Sequence, residues 1–178
     1  MKRIISTAVV LFWTVLAFAQ GSLLKQFLEI AEVEVNDGEI TLSVFDIPED
    51  GQHQYFLSVG TLGFGDEIIQ FNIDPVSQLF IPLGGTLDEV QEKLDEFNVV
   101  GKASSGTELE TVGILAIDPS MGEPEPVYVT SRRFLFQKLI SFSIKREGYV
   151  RASNIPRGDF GSLITLVQFY RKVHPNEP

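Results

Sequence analysis

The sequence predicts an α+β fold, a largely antiparallel sheet packed by about three to four helices, and three observations carry that expectation. Short runs with period-two apolar patterning recur between turn residues, a few segments switch to the 3.6-residue period, and the two kinds do not alternate as βαβ units require. The chain has 178 residues, 44% hydrophobic, 11% aromatic and 21% charged, a composition that supports a packed core without disorder or low-complexity bias. Cysteine is absent. That excludes disulfides, thiol nucleophiles, cysteine-ligated zinc and iron–sulfur centres.

The chain opens with Lys2 and Arg3 before an apolar run from Ile4 to Phe18, and Ala17-Phe18-Ala19 places small residues at minus three and minus one. This is the pattern of a removable export signal over 1–19, since the 15-residue run falls short of the roughly 20 that a membrane-spanning helix needs. Residues 20–178 then make about one domain. The expected location is the periplasm or the extracellular space, with no membrane span left in the mature chain.

Next, Ser22 is placed to cap a short helix with Leu24, Phe27, Leu28 and Ala31 at i, i+3, i+4 and i+7. The period then changes to two. Glu32 to Val35 and Glu39 to Phe45 flank Asn36-Asp37-Gly38, whose residues tolerate the positive φ of a tight turn, so a β-hairpin is expected. Further strands are predicted over His53–Val59 and Glu67–Ile73, with the glycine-rich stretch from Gly60 to Gly65 as their connection, and over Gln78–Leu83, where Pro82 argues for an edge. Gly84-Gly85 leads into the clearest helix: Thr86 and Glu89 form a capping box, while Leu87, Val90, Leu94 and Phe97 line one face.

A loop over Lys102–Thr107 precedes a strand over Leu109–Ile117, and a Pro- and Gly-rich turn from Asp118 to Pro126 precedes a strand over Val127–Thr130. For 132–145 two patterns compete. Phe134, Phe136, Ile140, Phe142 and Ile144 share one parity, as in a strand, but Lys138 interrupts them. The helical wheel, with Leu135, Phe136, Leu139, Ile140 and Ile144 on one side, sorts the residues better, so a helix ending at Lys145, Arg146 and Gly148 is expected. Tyr149–Asn154 reads as a strand. A final helix capped by Asp159 turns Phe160, Leu163, Ile164 and Val167 inward and ends near Arg171, Lys172 and His174, with a strand as the alternative for 160–172.

Chemistry is sparsely signalled. The two histidines, His53 and His174, would have to converge with carboxylates to hold zinc, and no Gly-x-Ser-x-Gly elbow accompanies them. Asp46, Asp50 and Gly51 match three positions of an EF-hand loop, but Pro48 and Leu57 occupy ligand positions, so no cofactor is expected, with calcium at an irregular acidic site left open. Ser22-Leu23-Leu24-Lys25 lacks the partner motifs of penicillin-recognising enzymes, and Arg157-Gly158-Asp159 is explained as a turn and a helix start.

Charge is the more informative signal. From Gln20 to Glu125 the formal balance is minus 18, and from Pro126 to Pro178 it is plus 6. Mutual neutralisation of the two parts is one reading. The sharper one is a basic, anion-facing surface made by Arg146, Arg151 and Arg157. Nucleic acid is an unexpected partner for so acidic a chain, whereas an anionic glycan, a lipid headgroup or another envelope component suits the expected compartment. The leading expectation is therefore an exported, non-catalytic binding or interaction module of the cell envelope or extracellular space. The alternative is a small secreted hydrolase using a carboxylate pair on a glycan. Amino-terminal sequencing of the protein recovered from envelope or medium should begin at Gln20; an intact Met1 on protein from the cytosol would overturn the export assignment.

Overall fold

A computed structural model describes residues 27–35, 40–48, 52–60, 63–64, 78–116, 119–120, 122–146 and 149–177. The export signal, the Asn36-Asp37-Gly38 turn and the strand expected over Glu67–Ile73 lie outside these residues. The elements run β1 (Leu28–Val35), β2 (Ile40–Asp46), β3 (Tyr55–Val59), β4 (Gly63–Phe64), β5 (Gln78–Gly84), α1 (Leu87–Lys102), β6 (Glu108–Ala116), β7 (Pro124–Phe134), β8 (Gln137–Arg146), β9 (Tyr149–Pro156) and α2 (Arg157–Val173). Among the described residues the strands form a single sheet in the order β1-β2-β3-β5-β6-β7-β8-β9-β4, and every pairing is antiparallel.

Among the described residues two helices, not three to four, pack this sheet, and two segments account for the difference. The first is the helix expected after Ser22: its described part, from Leu28, is β1, paired with β2 from Leu28↔Asp46 to Val35↔Ile40. The register shifts between Glu29 and Ala31, and Ile30 and Ala31 are buried in succession. A bulge of this kind adds one residue to the alternation, and the interrupted period two then imitates helical spacing. The second is 132–145, where the helix is replaced by the end of β7, a two-residue turn at Leu135-Phe136 and β8, with Arg132↔Leu139, Arg133↔Lys138 and Phe134↔Gln137 as the last pairs. Lys138 does not interrupt a core pattern, because it lies in the outer part of the hairpin and its Nζ donates to the carbonyl of Lys102 at 2.9 Å.

Other expectations hold with adjusted limits. The β1–β2 pairing is present, and β3, β6 and β9 occupy the predicted strand regions. β5 lies between β3 and β6 instead of at an edge; Pro82 is accommodated because β6 pairs only with Gln78–Phe80. Gly63 and Phe64 pair with Ala152 and Arg151, so part of the presumed connection is itself a strand. α1 carries the full capping box: Glu89 N donates to Thr86 Oγ1 at 3.2 Å, and Glu89 Oε2 accepts from the backbone N–H groups of Thr86 and Gly85 at 3.1 and 2.7 Å. Gly84 enters this turn at φ +126, where a Cβ would stand 2.6 Å from the Glu89 carboxylate, so only glycine fits. α2 begins at Arg157 after Pro156, without a side-chain cap, which places Asp159 inside the first turn.

Both helices cover one face of the sheet. Leu42, Val44, Leu57, Val59, Leu79, Ile81, Val127, Val129, Ile140 and Ile144 meet Leu87, Val90, Leu94 and Phe97 of α1 and Phe160, Leu163, Ile164 and Val167 of α2 in one core. A second, smaller cluster of Phe45, Ile47, Phe56 and Phe80 occupies the opposite face, which is why β3 is buried at every position. Phe142 ties the principal core together, meeting Phe97 edge-on at 5.8 Å between ring centroids and Phe160 at 6.0 Å. Replacing Phe142 by Ala, in a fully buried position, should cost about 3–5 kcal/mol, read as a loss of urea midpoint with helix content and sheet signal falling together.

Candidate functional site

The two helices run antiparallel, and this sorts the polar chemistry of the molecule to two ends. Asp88, in the first turn of α1, pairs with Arg171 in the last turn of α2. At the other end, a Cβ on Gly101 would lie 3.9 Å from Arg157 Cγ and 2.5 Å from Ile140 Cγ1, so α1 presses its glycine close to the sheet where α2 begins.

The end that holds the start of α1 and the finish of α2 gathers both histidines. Asp46 is 1% exposed; its Oδ2 accepts from His53 Nδ1 at 2.6 Å and its Oδ1 from the Gln54 backbone N–H at 3.0 Å. His53 lies parallel to Tyr55 at 5.8 Å. His174 stacks on Tyr170 at 4.3 Å and places Nδ1 3.4 Å from Glu177 Oε1. Burial, with the charges of Asp46 and Glu177 adding to it, pushes the Tyr55 phenol up to about 12. Tyr170 is raised as well, first by burial and then by its hydrogen bond to Glu177.

These groups are occupied with one another. Asp46 spends both carboxylate oxygens on holding His53 and the β2–β3 connection, and Glu177 serves Tyr170 and His174. Among the described residues no group of three or more His, Asp or Glu side chains is arranged to hold a metal ion. The arrangement gives two sets of partners, one at the ends of β2 and β3 and one at the end of α2. Sequence reasoning kept the two histidines apart, and only the antiparallel return of α2 brings them to one end.

The opposite end differs in kind. β9 pairs with β8 as far as Leu139↔Pro156, and β6 pairs with β7 no further than Glu108↔Thr130, so the β7–β8 hairpin from Arg132 to Lys138 extends past both neighbours. Its tip exposes Phe134, Leu135 and Phe136 to 64%, 76% and 96%. Arg132 and Arg133 precede these three and Lys138 follows them, while Arg157 begins α2 directly after the β9 residue that pairs with Leu139. Among the described residues no ion pair engages Arg132, Arg133 or Arg157. Glu108, the acid nearest along the strands, accepts from Lys145 at 3.1 Å and from Thr130 at 3.2 Å. A shallow recess of about 460 Å³ lies beside the hairpin, lined by Arg132, Gln137, Leu139, Asn154 and Pro156 among others.

The three arginines singled out in the sequence fall on three elements: Arg146 ends β8, Arg151 lies in β9 and Arg157 begins α2. Arg146 pairs with Tyr149 at the start of β9 and Arg151 pairs with Ile144, whereas Arg157 follows the end of β9, on the order of 25 Å from the Arg146 end at strand rise. Arg157 joins Arg132, Arg133 and Lys138, which had been assigned to a helix; the available signal was the Arg-Arg-Phe-Leu-Phe run itself, three apolar residues bracketed by cations. No family model, curated protein or solved structure matches the chain.

The raised phenols predict an alkaline limit. Unfolded tyrosines ionise near 10, and the folded state holds Tyr55 and Tyr170 neutral above that. The contribution of Tyr55 is therefore complete below pH 10 and is lost as pH rises from 10 through about 12, and that of Tyr170 is lost over the same rise and beyond it. Urea midpoints measured across this range should fall, and Tyr55→Phe should flatten the fall.

Proposed function

We propose that the protein is an exported, non-catalytic binding module that engages an anionic component of the cell envelope or extracellular space through the β7–β8 hairpin end. The observation that carries this reading is the juxtaposition of Arg132, Arg133, Lys138 and Arg157 with the exposed Phe134-Leu135-Phe136 tip, on a chain whose formal charge is minus 10 overall. A local positive field on an acidic body orients the molecule as it approaches a negative surface, because the remainder is repelled. The export pattern of residues 1–19 supports the compartment. The engagement of Asp46 with His53 and Gln54, and of Glu177 with Tyr170 and His174, supports a binding role over a hydrolytic one, since these carboxylates are committed to partners within the fold.

Among the described residues no helix is long and apolar enough to cross a membrane, and the reading requires none. Retention on immobilised dextran sulfate tests it directly. The triple variant Arg132→Ala, Arg133→Ala, Arg157→Ala should elute at clearly lower salt than the parent chain, whereas Arg146→Ala with Arg151→Ala should elute close to it. Equal elution of parent and triple variant would reject this surface.

A further inference from the structure

Resting on the anion-binding reading of the same end, we infer that the partner is an anionic lipid bilayer and that the Phe134-Leu135-Phe136 tip inserts into its interfacial layer. Three features point to lipid over a protein or a glycan. The first is the shape and size of the patch. The tip is the convex end of a two-residue turn that stands beyond β6 and β9, and its three side chains expose on the order of 400 Å² of apolar surface. That is about half of the roughly 800 Å² per partner that a stable protein interface needs, but it is enough for a few side chains to partition into a membrane interface.

The second feature is the layering of chemistry along the hairpin. Phe136 at the turn is nearly fully exposed, and the cations Arg132, Arg133, Lys138 and Arg157 lie behind the tip. A bilayer presents the same order to an approaching tip, anionic headgroups first and acyl chains beyond, so insertion brings the guanidinium groups to headgroup level. A polyanionic glycan would use the cations and leave Leu135 without a partner.

The third feature is the backbone. Leu135 has φ 52, and it is the one non-glycine residue with positive φ among the described residues. The first position of such a hairpin turn favours glycine, and a branched apolar side chain there is strained. A leucine that is 76% exposed and makes the turn less stable has no folding role, which leaves contact with something outside the chain.

Vesicle binding separates the possibilities. Vesicles of phosphatidylcholine alone and of phosphatidylcholine with phosphatidylglycerol are sedimented with the parent chain and with Phe136→Ser, Leu135→Gly, and Arg132→Ala with Arg133→Ala. The parent should sediment with the anionic vesicles only. Phe136→Ser should weaken binding on the order of ten-fold, and each arginine lost should weaken it about five-fold, more so at low salt. Leu135→Gly should weaken binding while keeping or raising the melting temperature, a combination that a purely structural role would not produce. In the mature chain, from which the export signal takes Trp13, the single native tryptophan, the indole introduced by Phe136→Trp should shift to the blue on anionic vesicles and be quenched by brominated acyl chains.

The failures are distinguishable. If the arginine variants lose both dextran sulfate and vesicles while Phe136→Ser binds vesicles as the parent does and the indole stays in water, insertion is overturned and the anion-binding face stands. Retention on dextran sulfate with no vesicle binding at all overturns the lipid assignment in favour of a glycan or protein. Arginine variants that match the parent on both supports overturn both readings.

Discussion

The packing of two antiparallel helices against one face of one antiparallel sheet, through the Phe97, Phe142 and Phe160 rings, is the constraint on which the other features rest. These rings come from α1, β8 and α2, so β8 is held in place by both helices at once. The helices in turn meet through the Asp88–Arg171 pair at one end, while at the other α1 presses Gly101 close to Ile140 of β8, beside the start of α2. An exposed ion pair contributes little by itself. The aromatic contacts and the wider apolar core supply most of the stabilisation and set the register in which α2 returns along α1.

That register gives the molecule two unlike ends. At one, the start of α1 and the finish of α2 meet the ends of β2 and β3, and the polar groups satisfy one another: Asp46 with His53 and Gln54, Glu177 with Tyr170 and His174. At the other, the finish of α1 meets the start of α2, and the positive charge there has little within the fold to neutralise it. Lys138 satisfies a terminal carbonyl of α1, as a cation at a helix C-terminus does. The arginines around it are left to face outward. The charge asymmetry along the sequence, acidic before Pro126 and basic after it, is converted by the fold into an asymmetry in space, because β7 and β8 carry Arg132, Arg133 and Lys138 past the ends of their neighbours.

The strained turn at Leu135 and the exposed phenylalanines on either side belong to the same end. A hairpin optimised for stability alone would place glycine at the first turn position and polar residues at the second. The departure from that rule is local, involves three consecutive residues and coincides with the cations that no ion pair among the described residues engages. Departures from local consistency concentrate where a protein does something other than fold.

Much of the fold was legible in the chain. The Thr86–Glu89 capping box, the inward faces of both helices, the pairing of Glu32–Val35 with the strand after it, and the stop signals at Lys102 and His174 depend on residues within about a dozen positions of one another, so local chemistry decides them. The identities of 28–35 and 132–145 do not. A bulge between Glu29 and Ala31 masks period two, and the exposed tip of the β7–β8 hairpin breaks the alternation that would reveal it. In both cases the answer lies in a partner strand, since an extended segment is stable only where another offers its hydrogen-bonding edge. The candidate site follows the same division: Arg157 was found from charge, but its grouping with Arg132, Arg133 and Lys138, and the placing of His53 and His174 at one end, arise from long-range pairing and helix return that no local pattern encodes.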